Sequence, residues 1–202
     1  MNVAVLASGA GTNLQALIDR AHGQNGVRLV AVASDRPEAK ALERAREAGI
    51  PTAAFAGEAY ASRSARDAAV AAWLGEQGTE LVVLAGYMQL LSPEFLGAFP
   101  ERVINVHPAL LPAFPGLRAV QQAIDYGVKL FGVTVHFVDF GVDTGPVILQ
   151  RGIELPDAAQ ASEVLECLHP IEHDLLVEAV GLIARGAVGF DPANPRRVVI
   201  AR

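Results

Sequence analysis

With 202 residues, 51% of them hydrophobic and 19% charged, the chain has material for one sizeable core and falls outside the disordered class. Its formal net charge of -6 argues against a general nucleic-acid surface, which would be basic, but leaves room for a small anion at a helix amino terminus. The lone Cys167 excludes an internal disulfide and a cysteine-cluster metal site, and it reads as a core residue of an apolar helix.

Residues 2 to 8 read as a first strand, too short and without the positive flank of a signal segment. Ser8-Gly9-Ala10-Gly11-Thr12-Asn13 follows as a tight turn, and Leu14, Leu17, Ile18 and Ala21 then recur at helical spacing. Strand, glycine turn and helix open a βαβ unit, in which exposed N–H groups and the positive helix end suit an anion. Leu14 stands where a dinucleotide fingerprint needs glycine, so a single-phosphate site fits better than a dinucleotide, with a plain helix cap by Thr12 or Asn13 as the alternative. A second strand spans 27–34, and Asp35-Arg36-Pro37 begins a helix with Ala41, Leu42, Ala45 and Ala48 inward, ended by Gly49. A short strand at 52–55, a loop over 56–64 and a helix over 65–77 follow, the helix burying Val70 and Trp73.

Residues 81–85 form a continuous apolar run, as a strand buried on both faces should. After Gly86 to Leu91, Ser92-Pro93-Glu94 is a helix start by cap and first-turn proline. The strand Val103-Ile104-Asn105-Val106-His107 is closed by Pro108. Its alternation places Asn105 and His107 on one face, and the proline keeps His107 extended at the strand exit. A donor amide beside a titratable base at the carboxyl end of a strand is what acyl transfer needs, one group to hold an oxyanion and another to move a proton. The plain alternative is two polar residues satisfied by loop backbone. Residues 108–116, with three prolines and a glycine, form an apolar irregular loop that covers the core or walls a pocket. A helix at 118–126 stops at Gly127, and strands 129–138 and 146–155, joined by 139–145, should pair antiparallel. A long helix from Ala161 to Ala184, bent at Pro170, ends at Gly186, and Arg197 to Ile200 adds a small terminal strand. His136 reads as hydrogen-bonded scaffold, and His173 as capping or packing as much as substrate contact. No apolar run reaches the ~18 residues of a membrane span, and the expectation is a soluble cytoplasmic protein.

Four stretches in colinear order, Ser8 to Asn13, Ala85 to Phe95, Ile104 to Gly116 and Gly141 to Gln150, together resemble the folate-dependent formyltransferases. The resemblance covers essentially the whole chain, and N-x-H-P-x-L-L-P with a downstream D-x-G-P is specific in combination. It implies a single α/β domain over 1–202, a Rossmann-like, doubly wound and mostly parallel sheet with an antiparallel carboxyl-terminal pair. A nucleotide- and phosphate-binding half would span about 1–100, and a catalytic and folate-binding half about 101–202.

The activity it implies is transfer of the formyl group of 10-formyltetrahydrofolate, a co-substrate, to the amine of glycinamide ribonucleotide in de novo purine synthesis. Asn105, His107 and Asp143 would be the catalytic trio; Gly11, Thr12, Asn13, Pro108 and Glu172 would hold the ribonucleotide. Arg63, Met88, Gln89, Leu90, Leu91 and Asn105 would receive the folate, much of the pteridine contact being made by backbone. Small molecules are the expected partners, not nucleic acid or membrane. A homodimer stays open, and the chemistry calls for no metal. Two positions depart from the family pattern: Gln89, where arginine is frequent, and Arg118, where many relatives have histidine. The alternatives are a formyltetrahydrofolate deformylase-like hydrolase and a non-catalytic folate- or nucleotide-binding protein.

Overall fold

The computed structural model describes residues 1–201 and is a mixed α/β structure. Its strands are β1 (Asn2–Leu6), β2 (Arg28–Ser34), β3 (Thr52–Ala54), β4 (Leu81–Leu84), β5 (Val103–His107), β6 (Leu130–Phe137), β7 (Val147–Glu154), β8 (Val188–Asp191) and β9 (Asn194–Ile200). Its helices are α1 (Thr12–Arg20), α2 (Lys40–Glu47), α3 (Arg63–Glu76), α4 (Pro93–Ala98), α5 (Ala119–Tyr126) and α6 (Ala161–Ala184). Seven strands form one sheet in the order β3-β2-β1-β4-β5-β6-β7, and β8 and β9 form a separate antiparallel pair. The pairs β1–β2, β2–β3, β1–β4 and β4–β5 are parallel, whereas β6 and β7 run antiparallel, as their short connection requires. The chain divides into two compact units, Met1–Asn105 and Val106–Arg202, with the division inside β5.

In the first unit the apolar runs do what their composition dictates. All four residues of β4 are buried, and Val3 to Ala7 are 0% exposed, so the central strands are covered on both faces. The chain leaves β1 toward β2 and β3 and returns on the other side through β4, so the sheet's direction reverses between β1 and β4. Ligands in open α/β sheets bind at the carboxyl ends of strands flanking such a reversal. Here those ends carry Ser8 to Asn13 and Gly86 to Leu91. In the second unit α6 buries Val164, Leu168, Leu175, Leu176, Ala179 and Val180 along one stripe. Each fully buried leucine there contributes about 1.5–3 kcal/mol.

Several boundaries differ from the sequence reading. α2 starts at Lys40 rather than at Asp35-Arg36-Pro37, because the Asp35 carboxylate accepts hydrogen bonds from Ser8 Oγ and Gln89 Nε2 and residues 36–39 form a turn closed by the Ala39 N–H on the Arg36 carbonyl at 3.1 Å. α3 starts at Arg63, since the Ser62 hydroxyl accepts the Ala65 N–H and caps it. Trp73 is half-buried against Phe55, with ring centroids 5.9 Å apart, and Leu74 is the fully buried neighbour. Cys167 is exposed, on the outward side of α6, so the core reading fails there. That helix runs through Pro170 as one element. The terminal strand is half of a hairpin, because Val188 to Asp191 pairs with it. Among the described residues no helix is long and apolar enough to cross a membrane.

Candidate active site

The second unit brings His107 and Asp143 together. His107 ends β5 and is 5% exposed; its Nδ1 lies 3.3 Å from Asp143 Oδ2. Its Nε2 lies 2.9 Å from the carbonyl oxygen of Phe114. A carboxylate and a carbonyl only accept hydrogen bonds, so this imidazole is satisfied only when both nitrogens carry hydrogens. Phe114 reaches it with φ 53°, a left-handed conformation that a bulky residue adopts at a cost.

Asp143, with φ 52°, is gripped from three directions. Its Oδ2 also accepts the Gly116 N–H at 2.7 Å, and its Oδ1 lies 3.5 Å from His136 Nε2. The other nitrogen of His136 donates to the Phe137 carbonyl at 2.8 Å. His136 is therefore buried scaffold, as its place in a strand suggested, but scaffold that holds the carboxylate. Burial pushes the Asp143 carboxyl up. Hydrogen bonds from His136 and Gly116, with the charges of His107 and His136, outweigh burial and bring it from 3.8 down to about 2. The site thus presents a carboxylate held below its usual range and, against it, an imidazole whose two nitrogens face acceptor oxygens.

The irregular loop 108–116, which contains a cis Leu111–Pro112 bond, is stitched down by residues the sequence reading passed over. The Thr134 hydroxyl donates to Ala109 O at 2.6 Å and accepts from Leu111 N and Gln150 Nε2, while Gln150 also donates to Leu111 O. Thr134 was findable: it lies two before His136 on one strand and so shares its face. Pro108, expected at the ribonucleotide, opens this loop; Glu172 is 7% exposed on α6, and Arg118 is exposed at the left-handed residue preceding α5. The charges of His107 and His136 both act on Asp143.

In the first unit, Gly11 precedes α1 with φ 70°, and an added Cβ there would come 2.8 Å from Ala41 Cα. Glycine is therefore required by the approach of α2 as well as by backbone conformation. Thr12 and Asn13 are the first residues of α1, and Gly11, not a side chain, stands at the cap position, so the side-chain capping expected of them does not occur. At the end of β4, Met88 and Leu90 are 54% and 57% exposed. Between them, the Gln89 side chain turns inward, accepting from Arg66 at 3.0 Å and donating to Asp35 at 2.8 Å. Burial pushes the neighbouring Tyr87 hydroxyl up to about 12; Arg66 opposes this, and Asp35 and Asp67 add to it. Arg63 is exposed at the start of α3. A depression of about 480 Å³ lined by Ala71, Thr79, Phe99 and Arg102 lies by the amino ends of β4 and β5, away from these segments, and holds none of the expected site residues.

Buried acid–base geometry at the end of β5, on a sheet that reverses between β1 and β4, describes a group-transfer enzyme of the α/β class. The model of the formyl transferase family matches residues 1–180, and the chain belongs to that family. It is 40% identical over 188 residues to the phosphoribosylglycinamide formyltransferase of Bacillus subtilis, covering 91% of this chain and 96% of that one. The Mycobacterium tuberculosis protein of the same name is 44% identical over 184 residues, covering 91% and 85%. The crystal structure of glycinamide ribonucleotide transformylase 1 from Symbiobacterium toebii superposes with a TM-score of 0.95 at 45% identity, covering 100% of this chain and 94% of that one.

Proposed function

We infer that the chain transfers the formyl group of 10-formyltetrahydrofolate to the amine of N1-(5-phospho-D-ribosyl)glycinamide, a step of de novo purine synthesis. The observation that carries the reading is the His107–Asp143 pair, 3.3 Å apart, in a chain of this family. The folate supplies the carbonyl carbon to be attacked. As the neutral amine adds to it, negative charge develops on the formyl oxygen. Asn105, two residues before His107 on β5, offers amide N–H groups to that oxygen, and His107 offers positive charge. Both His107 nitrogens are already held, by Asp143 and by the Phe114 carbonyl, so its first contribution is electrostatic. Donating directly to the oxyanion requires the incoming oxygen to replace Phe114 as its partner. Asp143 orients the ring, and through a water it moves the proton from the attacking nitrogen to the departing one.

The ribonucleotide falls to Gly11, Thr12, Asn13, Pro108 and Glu172, and the folate to Arg63, Asn105 and the segment Met88 to Leu91. That segment suits a pteridine: it pairs exposed apolar side chains with a backbone anchored where the Met88 N–H donates to the Ser8 hydroxyl. Because Gln89 is turned inward, it contributes backbone rather than its amide. The proposed setting is the cytoplasm, and the proposed partners are small molecules.

The test is a spectrophotometric assay of folate deformylation with and without the ribonucleotide, with the product identified by mass. The expected signal requires the ribonucleotide and yields its formylated form. Equal signal without any amine would make the chain a hydrolase, and ligand binding without turnover would make it a binding protein.

A further inference from the structure

A second set of buried charges lies in the first unit, and the reaction above uses none of it. The Ser8 hydroxyl accepts the Met88 N–H at 2.9 Å and donates to Asp35 Oδ1. Asp35 Oδ2 accepts Gln89 Nε2 at 2.8 Å, and Gln89 Oε1 accepts Arg66 Nη1 at 3.0 Å. Arg66 grips Asp67 Oδ1 through both Nε and Nη2, at 3.0 and 2.8 Å. Asp67 Oδ2 then accepts the Ser92 N–H at 2.7 Å. The path leaves the segment at Met88, runs through four other side chains besides Gln89, and re-enters it at Ser92. Segment and path make a closed ring.

Every member but Gln89 is nearly out of water: Ser8 is 3% exposed, Asp35 9%, Arg66 4%, Asp67 0% and Ser92 2%. Burying three charged groups is a poor way to add stability, since well-packed apolar residues of similar size serve as well or better. What a fully satisfied polar ring provides is a single backbone conformation. It is spent here on the segment whose two flanking side chains, Met88 and Leu90, face solvent.

The ring also accounts for an amide at position 89. Arg66 already presents a guanidinium to that side chain, so a second one at 89 would set donor against donor. An amide offers an oxygen to Arg66 and an N–H to Asp35, and only that polarity closes the path.

We propose that Asp35, Arg66 and Asp67, linked through Gln89, are positioning residues for the folate co-substrate, fixing the backbone of Met88 to Ser92 in its receiving conformation without touching the ligand. The proposal rests on the assignment of Met88 to Leu91 to the folate. The experiment measures KM for each substrate, kcat and thermal unfolding for Gln89→Arg, Arg66→Gln, the double variant and Leu90→Asp. Gln89→Arg raises the folate KM by about tenfold, the scale of one spoiled charge-assisted contact, with kcat and the ribonucleotide KM within about twofold. In the double variant the arginine at 89 donates to Asp35 and to the glutamine at 66, which donates to Asp67. Polarity is restored, and the folate KM returns to within about threefold of the parent. Should Gln89→Arg not fold, Arg66→Gln and the double variant still make the comparison. If the single variants move both KM values together, or the double variant fails to recover the folate KM, the positioning role is overturned. If Leu90→Asp leaves the folate KM unchanged, the folate assignment itself falls and takes the proposal with it.

Discussion

Two segments beyond strand ends, 86–92 in the first unit and 138–146 in the second, are both rigid, but by opposite means. Segment 86–92 is held by side chains from elsewhere: Ser8 takes one of its N–H groups, Asp67 another, and Asp35 and Arg66 hold the amide of Gln89. Segment 138–146 holds itself. Asp139 Oδ1 accepts from Gly141 N and from Thr144 Oγ1 at 2.6 Å, and Gly145 packs so closely that a Cβ there would lie 1.8 Å from the Phe137 carbonyl. The difference follows from what each presents. Under the proposed folate assignment, segment 86–92 would recognise with its backbone and could not spend that backbone on its own folding, so outside side chains fix it. A segment that offers one side chain, Asp143, can close its backbone on itself and leave the carboxylate free for Gly116 and the histidines.

The contrast predicts that substitutions around Asp143 strike turnover, while those around Gln89 strike affinity. The largest effect belongs to His107→Ala and Asn105→Ala. In the proposed mechanism each removes a group serving the developing oxyanion, and kcat falls by about 10²–10³; for His107→Ala, which also strips Asp143 of a buried partner, the thermal midpoint falls too. Steady-state kinetics beside a melting curve checks this, and near-normal turnover by either variant would end the oxyanion assignment.

Gly145→Ala comes next. Its methyl group has no room against a backbone carbonyl, so Phe137 or the turn must shift. Overpacking of this kind costs about 1–3 kcal/mol, and here it also displaces Asp143, so a lower urea midpoint and lower kcat should appear together. A variant with lowered stability and unchanged kcat would show that the turn does not aim the carboxylate.

Asp143 itself leaves a pH signature. Its folded value of about 2 lies below its ordinary 3.8, so the fold favours the carboxylate. That stabilisation is fully present above about pH 4 and is lost as pH falls through 3.8 toward about 2. Urea unfolding of the parent and of Asp143→Asn, followed from neutral to acid, should show a stability gap that narrows within that window. A gap as wide in strong acid as at neutrality would mean that Asp143 matters for its shape and not for its charge.

How much of this could be read from the sequence depends on how local the cause is. Ser92-Pro93 starts α4 as a cap and first-turn proline dictate, and the apolar run Leu81 to Leu84 is a strand buried on both faces. The alternation that places Asn105 and His107 on one face is likewise local, and the strand over 103–107 formed with the bounds expected. What escaped is set by partners distant in sequence. Asp35 looked like the start of a helix because its real partners, Ser8 and Gln89, are 27 and 54 residues away. Nothing local marks Arg66 in the first turn of α3 as buried, and only Asp67 together with Gln89 makes its burial tolerable. That Phe114 would offer its carbonyl to His107 depends on a left-handed residue in a proline-rich loop, which no periodicity announces.

The smallest effect tests how far the self-holding of segment 138–146 extends. The β8–β9 hairpin lies beyond residues 1–180 matched by the family model, yet it reaches that segment. Arg196 donates to the Thr144 carbonyl at 2.5 Å, and Phe190 packs tilted against Phe137, with centroids 5.0 Å apart. If the turn is rigid through Asp139, Thr144 and Gly145, the outside bond is dispensable to the chemistry and worth only one exposed hydrogen bond. Arg196→Ala should then cost about 0.5–1.5 kcal/mol at most and leave kcat within about twofold. Arg196→Lys, which can still reach a carbonyl, should recover much of the stability. A fall in kcat as deep as that of Gly145→Ala would instead show that this turn, like segment 86–92, is held from outside, and the contrast between the two would dissolve.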